Sequence, residues 1–221
     1  MTGAARAHRL PRRLVTDREA WITDRCRGKS VLHLGFVAHP YMDENVASGR
    51  WLHTRIAGVA SRVVGVDWAA EEVATLQGRG DIGRVVTGDV ERLPEQGLGH
   101  FDVIVAGEIL EHLTSPGAAL DGARESLVPG GELIVTVPNA FCLRRMIQIP
   151  AGREVVHPDH VSYYSHRTLA RLLEVHGMRV TFAAGYRVPP GGSRNAYWLD
   201  RLASWLSPNL CEGLAVVAQP A

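Results

Sequence analysis

Short apolar runs alternate along the chain with stretches in which apolar residues return every three or four positions. Val31–Gly35, Arg62–Val66, Val85–Val86, Phe101–Ala106 and Glu132–Val137 are the runs. They are too short for helices and rich in branched residues, and so predict strands. Between them, Leu52, Ile56, Val59 and Ala60 repeat at helical spacing, and Ala69–Leu76 forms a second helical stretch that Gly78 and Gly80 close. Ser115 and Pro116 read as the cap and first turn of a third helix, with Leu120, Ala123 and Leu127 on one face and Pro129-Gly130-Gly131 as its stop. The run FDVIVA at 101–106 carries almost no polar position, so its strand is expected to be buried on both faces. Strand–helix alternation of this kind predicts a parallel, doubly wound α/β sheet with right-handed crossovers.

The pattern changes after Val137. Residues 138–165 hold Pro138, Pro150 and Pro158 among scattered aromatics without a period. A helix then runs from about His166 to His176, with Leu169, Leu172 and Leu173 inward and Gly177 as its stop. Val180–Ala184 and Leu214–Ala218 predict the last two strands. Between them, a short helix near Tyr197–Leu206 places Trp198 and Trp205 seven apart, a spacing that predicts core packing. The irregular segments 138–165 and 185–212 are expected to be substrate-side insertions, since binding resides in such loops. Residues 1–29 read as a solvated helical leader.

At 221 residues the chain suits a single domain over 1–221, and 46% hydrophobic with 21% charged residues is a globular composition. No run approaches the roughly 18 apolar residues of a membrane span. Charges at Arg18, Glu19, Asp24 and Arg25 interrupt the start of the chain, which argues against a secretory signal, so a cytoplasmic location is expected. Cys26, Cys142 and Cys211 fit neither a disulfide framework nor a zinc pattern and read as buried thiols. The net charge is +1, with eight cationic against three acidic side chains in residues 1–30 and 16 against 20 beyond them. That distribution speaks against a nucleic-acid partner. A monomer or a homodimer is expected.

Open α/β sheets bind ligands at the carboxyl ends of their strands. Those ends read Gly35-Phe36-Val37-Ala38-His39-Pro40, Asp67-Trp68, Gly88-Asp89-Val90 and Gly107-Glu108. A carboxylate after the second strand can accept from both hydroxyls of a ribose, and the neighbouring indole offers a face to a purine. Asp89 can accept from an adenine amino group while the Val90 amide donates to the ring. In this order the four ends describe a nucleoside pocket.

The segments VLHLGFVAHP, VVGVDWAAEEV, GDVERLP, FDVIVAGEILEHLTSP, LVPGGELIVTVPN and HPDHVSYYSHRTLARLLEVHGM resemble class I S-adenosylmethionine-dependent methyltransferases over about residues 30–220. The resemblance implies a Rossmann-like, seven-stranded sheet in the order 3-2-1-4-5-7-6 with strand 7 antiparallel. It also implies a cofactor site made by His33, Gly35, Phe36, Asp67, Trp68, Asp89, Val90 and Gly107. The first motif departs from the common pattern: His33 stands in place of an acidic residue, and Gly35-Phe36-Val37 in place of Gly-x-Gly. A family branch with Gly-x-Val-x-His resembles this variant, which gives His39 a structural or pocket-lining place, with a solvated surface histidine as the alternative.

Methyl transfer to an aliphatic hydroxyl needs alignment, exclusion of water and a proton acceptor. His112, His157 and His160 are the candidate catalytic residues near the active face, and Tyr163 and Tyr164 the candidate substrate residues. Glu108, Glu111 and His112 form E-x-x-E-H. With His160, they resemble the metal-holding set of small-RNA 2′-O-methyltransferases and ubiquinone-pathway O-methyltransferases, which implies Mg2+ and a vicinal diol or catechol acceptor. The same motif also occurs in family members without metal. The expected activity is O-methylation of a small molecule such as a sugar, a polyketide or another specialised metabolite. An RNA-modifying methyltransferase and a non-catalytic cofactor-fold partner protein are the alternatives.

Overall fold

The computed structural model describes residues 7–37, 42–187 and 194–221. Its strands are β1 (Leu14–Val15), β2 (Ser30–Leu34), β3 (Arg62–Asp67), β4 (Arg84–Thr87), β5 (Phe101–Gly107), β6 (Leu127–Pro138), β7 (Met178–Tyr186) and β8 (Gly213–Pro220). They form one sheet in the order β1-β7-β8-β6-β5-β2-β3-β4, in which β8 is antiparallel to both neighbours and the other pairings are parallel. Seven of these strands reproduce the expected order. The eighth, β1, is an addition: two residues of the leader extend the sheet beside Gly185 and Tyr186.

Eight α-helices accompany the strands among the described residues: α1 (Arg18–Cys26), α2 (Met42–Ala47), α3 (Leu52–Ala57), α4 (Ala70–Leu76), α5 (Pro116–Glu125), α6 (Leu143–Gln148), α7 (His166–Val175) and α8 (Arg194–Leu206). The period-2 alternation of the central strands sorts their side chains. Leu32 and Leu34 of β2 and Ile104 and Ala106 of β5 join the core with Leu120 and Ala123 of α5 and Leu169 and Leu173 of α7. Val31, Val103 and Val105 face the other way, onto Ile22 and Cys26 of α1 and Ile56 of α3. The leader is therefore not a solvated helix. Its Ile22 and Cys26 are fully buried because α1 covers one face of the sheet.

Trp198 and Trp205 also differ from expectation, at 61% and 80% exposed, because the inner surface of α8 is formed by Asp200, Ala203 and Ser204 instead. The three cysteines are free and buried, as the sequence predicts. Among the described residues no helix is long and apolar enough to cross a membrane.

On the α1/α3 face, His33 lies opposite Gly65 in the β2–β3 register. A Cβ at Gly65 would come within 2.8 Å of both the His53 and Phe36 rings, so the missing side chain is what admits them. His53 Nε2 lies 3.0 Å from the Ile82 carbonyl, which can only accept, so Nε2 carries the proton. The other nitrogen of neutral His53 is then an acceptor, and His33 Nδ1 donates to it across 3.1 Å. Burial pushes His53 down to about 4, and burial followed by the neighbouring His53 and Arg18 pushes His33 well below its ordinary value.

Both rings are thus neutral in the fold, whereas in the unfolded chain they titrate near 6.5. The stability they confer is complete above about pH 6.5 and is lost as the pH falls toward 4, since protons then bind the unfolded chain preferentially. For His53 this amounts to about 3 kcal/mol. Urea unfolding followed from pH 7.5 to pH 4.5 should show a steeper loss for the wild type than for His53→Gln, whose amide keeps a donor and an acceptor but does not titrate. Superimposable profiles would exclude the histidine pair as the cause.

Candidate active site

The chain leaves β2 through Gly35, whose φ of +65° suits glycine and whose Cβ would collide with Ile109. Beyond it, the Val37 amide donates to Asp67 Oδ2 at 2.9 Å and the Ala69 amide to Asp67 Oδ1 at 3.1 Å. Asp67 therefore ties the loop after β2 to the start of α4 at the carboxyl edge of the sheet. It is 4% exposed, and burial raises its pKa against the opposing pull of the Val37, Ala69 and Trp68 amides. Each carboxylate oxygen keeps a second lone pair. Next to it, Trp68 is 82% exposed, its indole bare on the surface. Asp89 caps the following turn by accepting from the Glu91 amide at 2.9 Å, and Val90 is buried in the main core.

His33 and Phe36, expected beside a cofactor, are instead turned into the packing. Phe36 is 2% exposed within a cluster that includes Trp51, Val73 and Ile82, and the Trp51 indole N–H donates to its carbonyl at 2.8 Å. The apolar slot above Gly65 holds the Phe36 ring. His39 lies outside the described residues.

The end of β5 carries a polar cluster that the sequence does not announce. Arg18, at the start of α1, lies above Gly107, where a Cβ would come within 2.6 Å of its Nη2. Its Nε donates to Thr136 Oγ1 at 2.9 Å, and its guanidinium is 5.8 Å from the centroid of the Tyr186 ring. Burial alone would lower its pKa, but Tyr186, Glu108, Glu19 and Glu111 hold it above its ordinary value. Glu108 departs from β5 with φ +57°, a left-handed conformation that costs a non-glycine residue energy. Its carboxylate lies near Tyr186, whose phenol is pushed well up by burial and then by Glu108.

Glu111 is 1% exposed, and neither of its oxygens has a hydrogen-bond partner among the described residues. Burial, then Glu108, raises it to about 9, which keeps it protonated at neutral pH. One signal could have found Arg18: a cation in the first turn of a helix opposes the helix dipole and needs another reason to be there.

Just past this cluster, His112, His157 and His160 converge, with one nitrogen of each within 4.8 Å of the others. The segment bearing the last two is hung from the first, because the Val161 and Ser162 amides both donate to the Glu111 carbonyl, at 2.8 and 3.3 Å. Burial, then His157, lowers His112, and burial followed by His112 and His157 takes His160 to about 4. The structure thus brings together all three predicted histidines but not the predicted carboxylate–imidazole set. Glu108 and Glu111 are oriented toward Arg18 and Tyr186. Magnesium, which prefers oxygen ligands in octahedral array, does not fit a group of imidazoles.

The two tyrosines separate as well. Tyr164, expected in the substrate pocket, is 6% exposed, and its hydroxyl donates to the Leu110 carbonyl at 3.3 Å, so it belongs to the core. Tyr163 is half-buried beneath the Arg145 guanidinium, 5.3 Å from the ring centroid, and lies 6.4 Å from the His160 ring. It lines a cavity of about 200 Å³ together with Ala140, Arg145, Ile149, Arg153 and Val155. This hollow falls within the 138–165 insertion, beside the histidines.

Comparison with known proteins bears on the family and the fold. Residues 44–181 match the family described as methyltransferase domain. The chain is 28% identical over 165 residues to a probable S-adenosylmethionine-dependent methyltransferase of Mycolicibacterium smegmatis, covering 74% of this chain and 57% of that one. It is also 28% identical over 167 residues to a ubiquinone biosynthesis O-methyltransferase of Idiomarina loihiensis, covering 73% and 63%. The chain thus spans about three-fifths of the length of these relatives.

Among solved structures, the CcbJ methyltransferase of Streptomyces caelestis superposes with a TM-score of 0.61 at 17% identity, covering 92% of this chain and 94% of that one. The magnesium protoporphyrin IX methyltransferase of Synechocystis, solved with bound S-adenosylhomocysteine, gives 0.57 at 14%, covering 92% and 80%. With most of its length inside the matched family and its strands in the order expected of that fold, the chain belongs to the class I S-adenosylmethionine-dependent methyltransferases.

Proposed function

We propose that the protein transfers a methyl group from S-adenosylmethionine to a hydroxyl oxygen of a small molecule, with sugars, polyketides and other specialised metabolites as the acceptor class. The observation that carries this reading is the gathering of His112, His157 and His160 beside the cavity under Tyr163, at the carboxyl edge of the same sheet that presents Asp67 and Trp68. The cofactor's ribose is assigned to the remaining lone pairs of Asp67 and its adenine to the exposed Trp68 face, with Asp89 and the Val90 amide at its edge. Gly35 and Gly107 keep the backbone low where the cofactor lies. Arg18, a buried cation directly above Gly107, is the group suited to an amino-acid carboxylate.

The reaction is an in-line displacement: the sulfur–methyl bond breaks as the oxygen–methyl bond forms, and the acceptor's hydroxyl proton is lost. The protein's work is to align the oxygen with the methyl group and keep water out. Tyr163, Ile149 and Val155 supply an apolar wall for the acceptor, and the histidines meet its oxygen. A cavity of this size and lining suits a small molecule better than a polynucleotide, as does the excess of acidic side chains beyond residue 30. Three free thiols accord with a cytoplasmic setting.

Calorimetric titration with S-adenosylhomocysteine should give micromolar or tighter binding. Asp67→Ala should weaken it at least about tenfold through lost charged hydrogen bonds, and Trp68→Ala by about 0.5–1.5 kcal/mol through lost stacking. Absence of binding by the wild type would move the protein to the non-catalytic alternative.

Transfer of a labelled methyl group to a panel of sugars, phenols and catechols tests the acceptor side. His112→Ala and His160→Ala should lower turnover at least about tenfold while cofactor affinity stays within about twofold. Unchanged turnover in both variants would remove the histidines from the reaction.

A further inference from the structure

We propose that His112, His157 and His160 form a three-imidazole site for a borderline divalent transition metal of the zinc or cobalt type. Three neutral imidazoles are a common ligand set for such ions and leave coordination open on the solvent side. One nitrogen of each ring lies within 4.8 Å of the other two. Zinc–nitrogen bonds of about 2.0–2.1 Å in a tetrahedron place the nitrogens about 3.3 Å apart. His112 and His157 are exposed side chains, so an ångström-scale adjustment closes the set without moving the core.

Independent features accompany the convergence. His160 Nδ1 is buried and has no hydrogen-bond partner among the described residues, which leaves a polar nitrogen of the group uncompensated. Asp159 lies close enough to His112 to bear on its charge, as outer groups accompany metal-bound imidazoles. Asp159 also approaches His157, with Oδ2 at 3.7 Å from Nδ1. The backbone supports the same geometry: His160 donates to the His157 carbonyl at 3.1 Å, and the next two amides are fastened to Glu111. The nearest large cation, Arg145, is drawn toward Glu212 at 3.7 Å.

This set differs from the one implied by the E-x-x-E-H motif. It uses the motif's histidine and not its carboxylates, and it selects against magnesium. The site's role in holding an acceptor oxygen rests on the methyltransferase reading, but the binding of the ion does not.

The test is titration of the full chain with Co2+, followed by visible absorption and by calorimetry, with S-adenosylhomocysteine binding measured separately on the same preparations. One equivalent of Co2+ should bind and produce intense absorption typical of low coordination number, Zn2+ should displace it, and millimolar Mg2+ should not. His157→Asn and His160→Gln, each confirmed as folded by circular dichroism, should each weaken Co2+ binding at least about tenfold and lose the band. A wild type without the band, or variants that bind as the wild type does, would overturn the site. Co2+ binding without S-adenosylhomocysteine binding would retain the metal site and refute the methyltransferase reading, and the reverse result would do the opposite.

Discussion

A guanidinium buried at the carboxyl edge of the sheet constrains much of what surrounds it. Removing a charge from water costs several kcal/mol unless partners replace the solvent, and the partners of Arg18 come from several elements. Thr136 of β6 accepts from Nε, Tyr186 of β7 lies near the guanidinium, and Glu108 after β5 supplies opposing charge. Gly107 has to lack a side chain for the guanidinium to reach this position. Glu108 takes a left-handed backbone conformation in the same turn. The two-residue strand β1 then fixes the start of α1 by pairing with the end of β7.

The same constraint shapes the segment after β5. With Glu111 buried and Glu108 half-buried beside Arg18, the E-x-x-E-H segment presents only its histidine as an exposed side chain. The Glu111 carbonyl, pointing the other way, becomes the anchor for residues 161 and 162. Thus one residue closes the polar cluster with its side chain and positions His157 and His160 with its backbone. A substitution at Glu111 that disturbed its turn would be felt in both places.

Much of the fold was legible because burial on both faces of a parallel sheet imposes continuous apolar runs, and seven of them lie in the expected order. What escaped was governed by distant partners. β1 is too short to carry a period, and α6 lies in a segment whose proline and aromatic content hides its single turn and a half. The heptad spacing of Trp198 and Trp205 marks one face of a helix but not which way that face turns.

Asp67 and Trp68 close and follow β3 and His112 lies just past β5, where the sequence puts them, while His157 and His160 lie in the irregular segment after β6. The inward turn of Phe36 does not follow from its place in the sequence, because it depends on the space over Gly65, a residue twenty-nine positions away that no local pattern connects to it. Tyr163 and Tyr164 show the same limit at closest range, since adjacent residues on an extended segment face opposite ways.

The departure of the first motif from Gly-x-Gly can be understood through these contacts. Where a second glycine would leave the loop low and unanchored by side chains, Phe36 inserts its ring beside His53 and Trp51, and the Trp51 indole holds its carbonyl. Replacing the usual carboxylate by His33 suits the same environment, because a buried acid beside His53 would need a compensating charge, whereas a neutral imidazole needs only the hydrogen bond that His53 provides. The two departures are therefore coupled through one aromatic cluster. The loop's other anchor, the Val37 amide on Asp67, does not depend on either side chain. A variant first loop is in this way compatible with an intact carboxylate after β3, the residue to which the proposed function assigns the ribose.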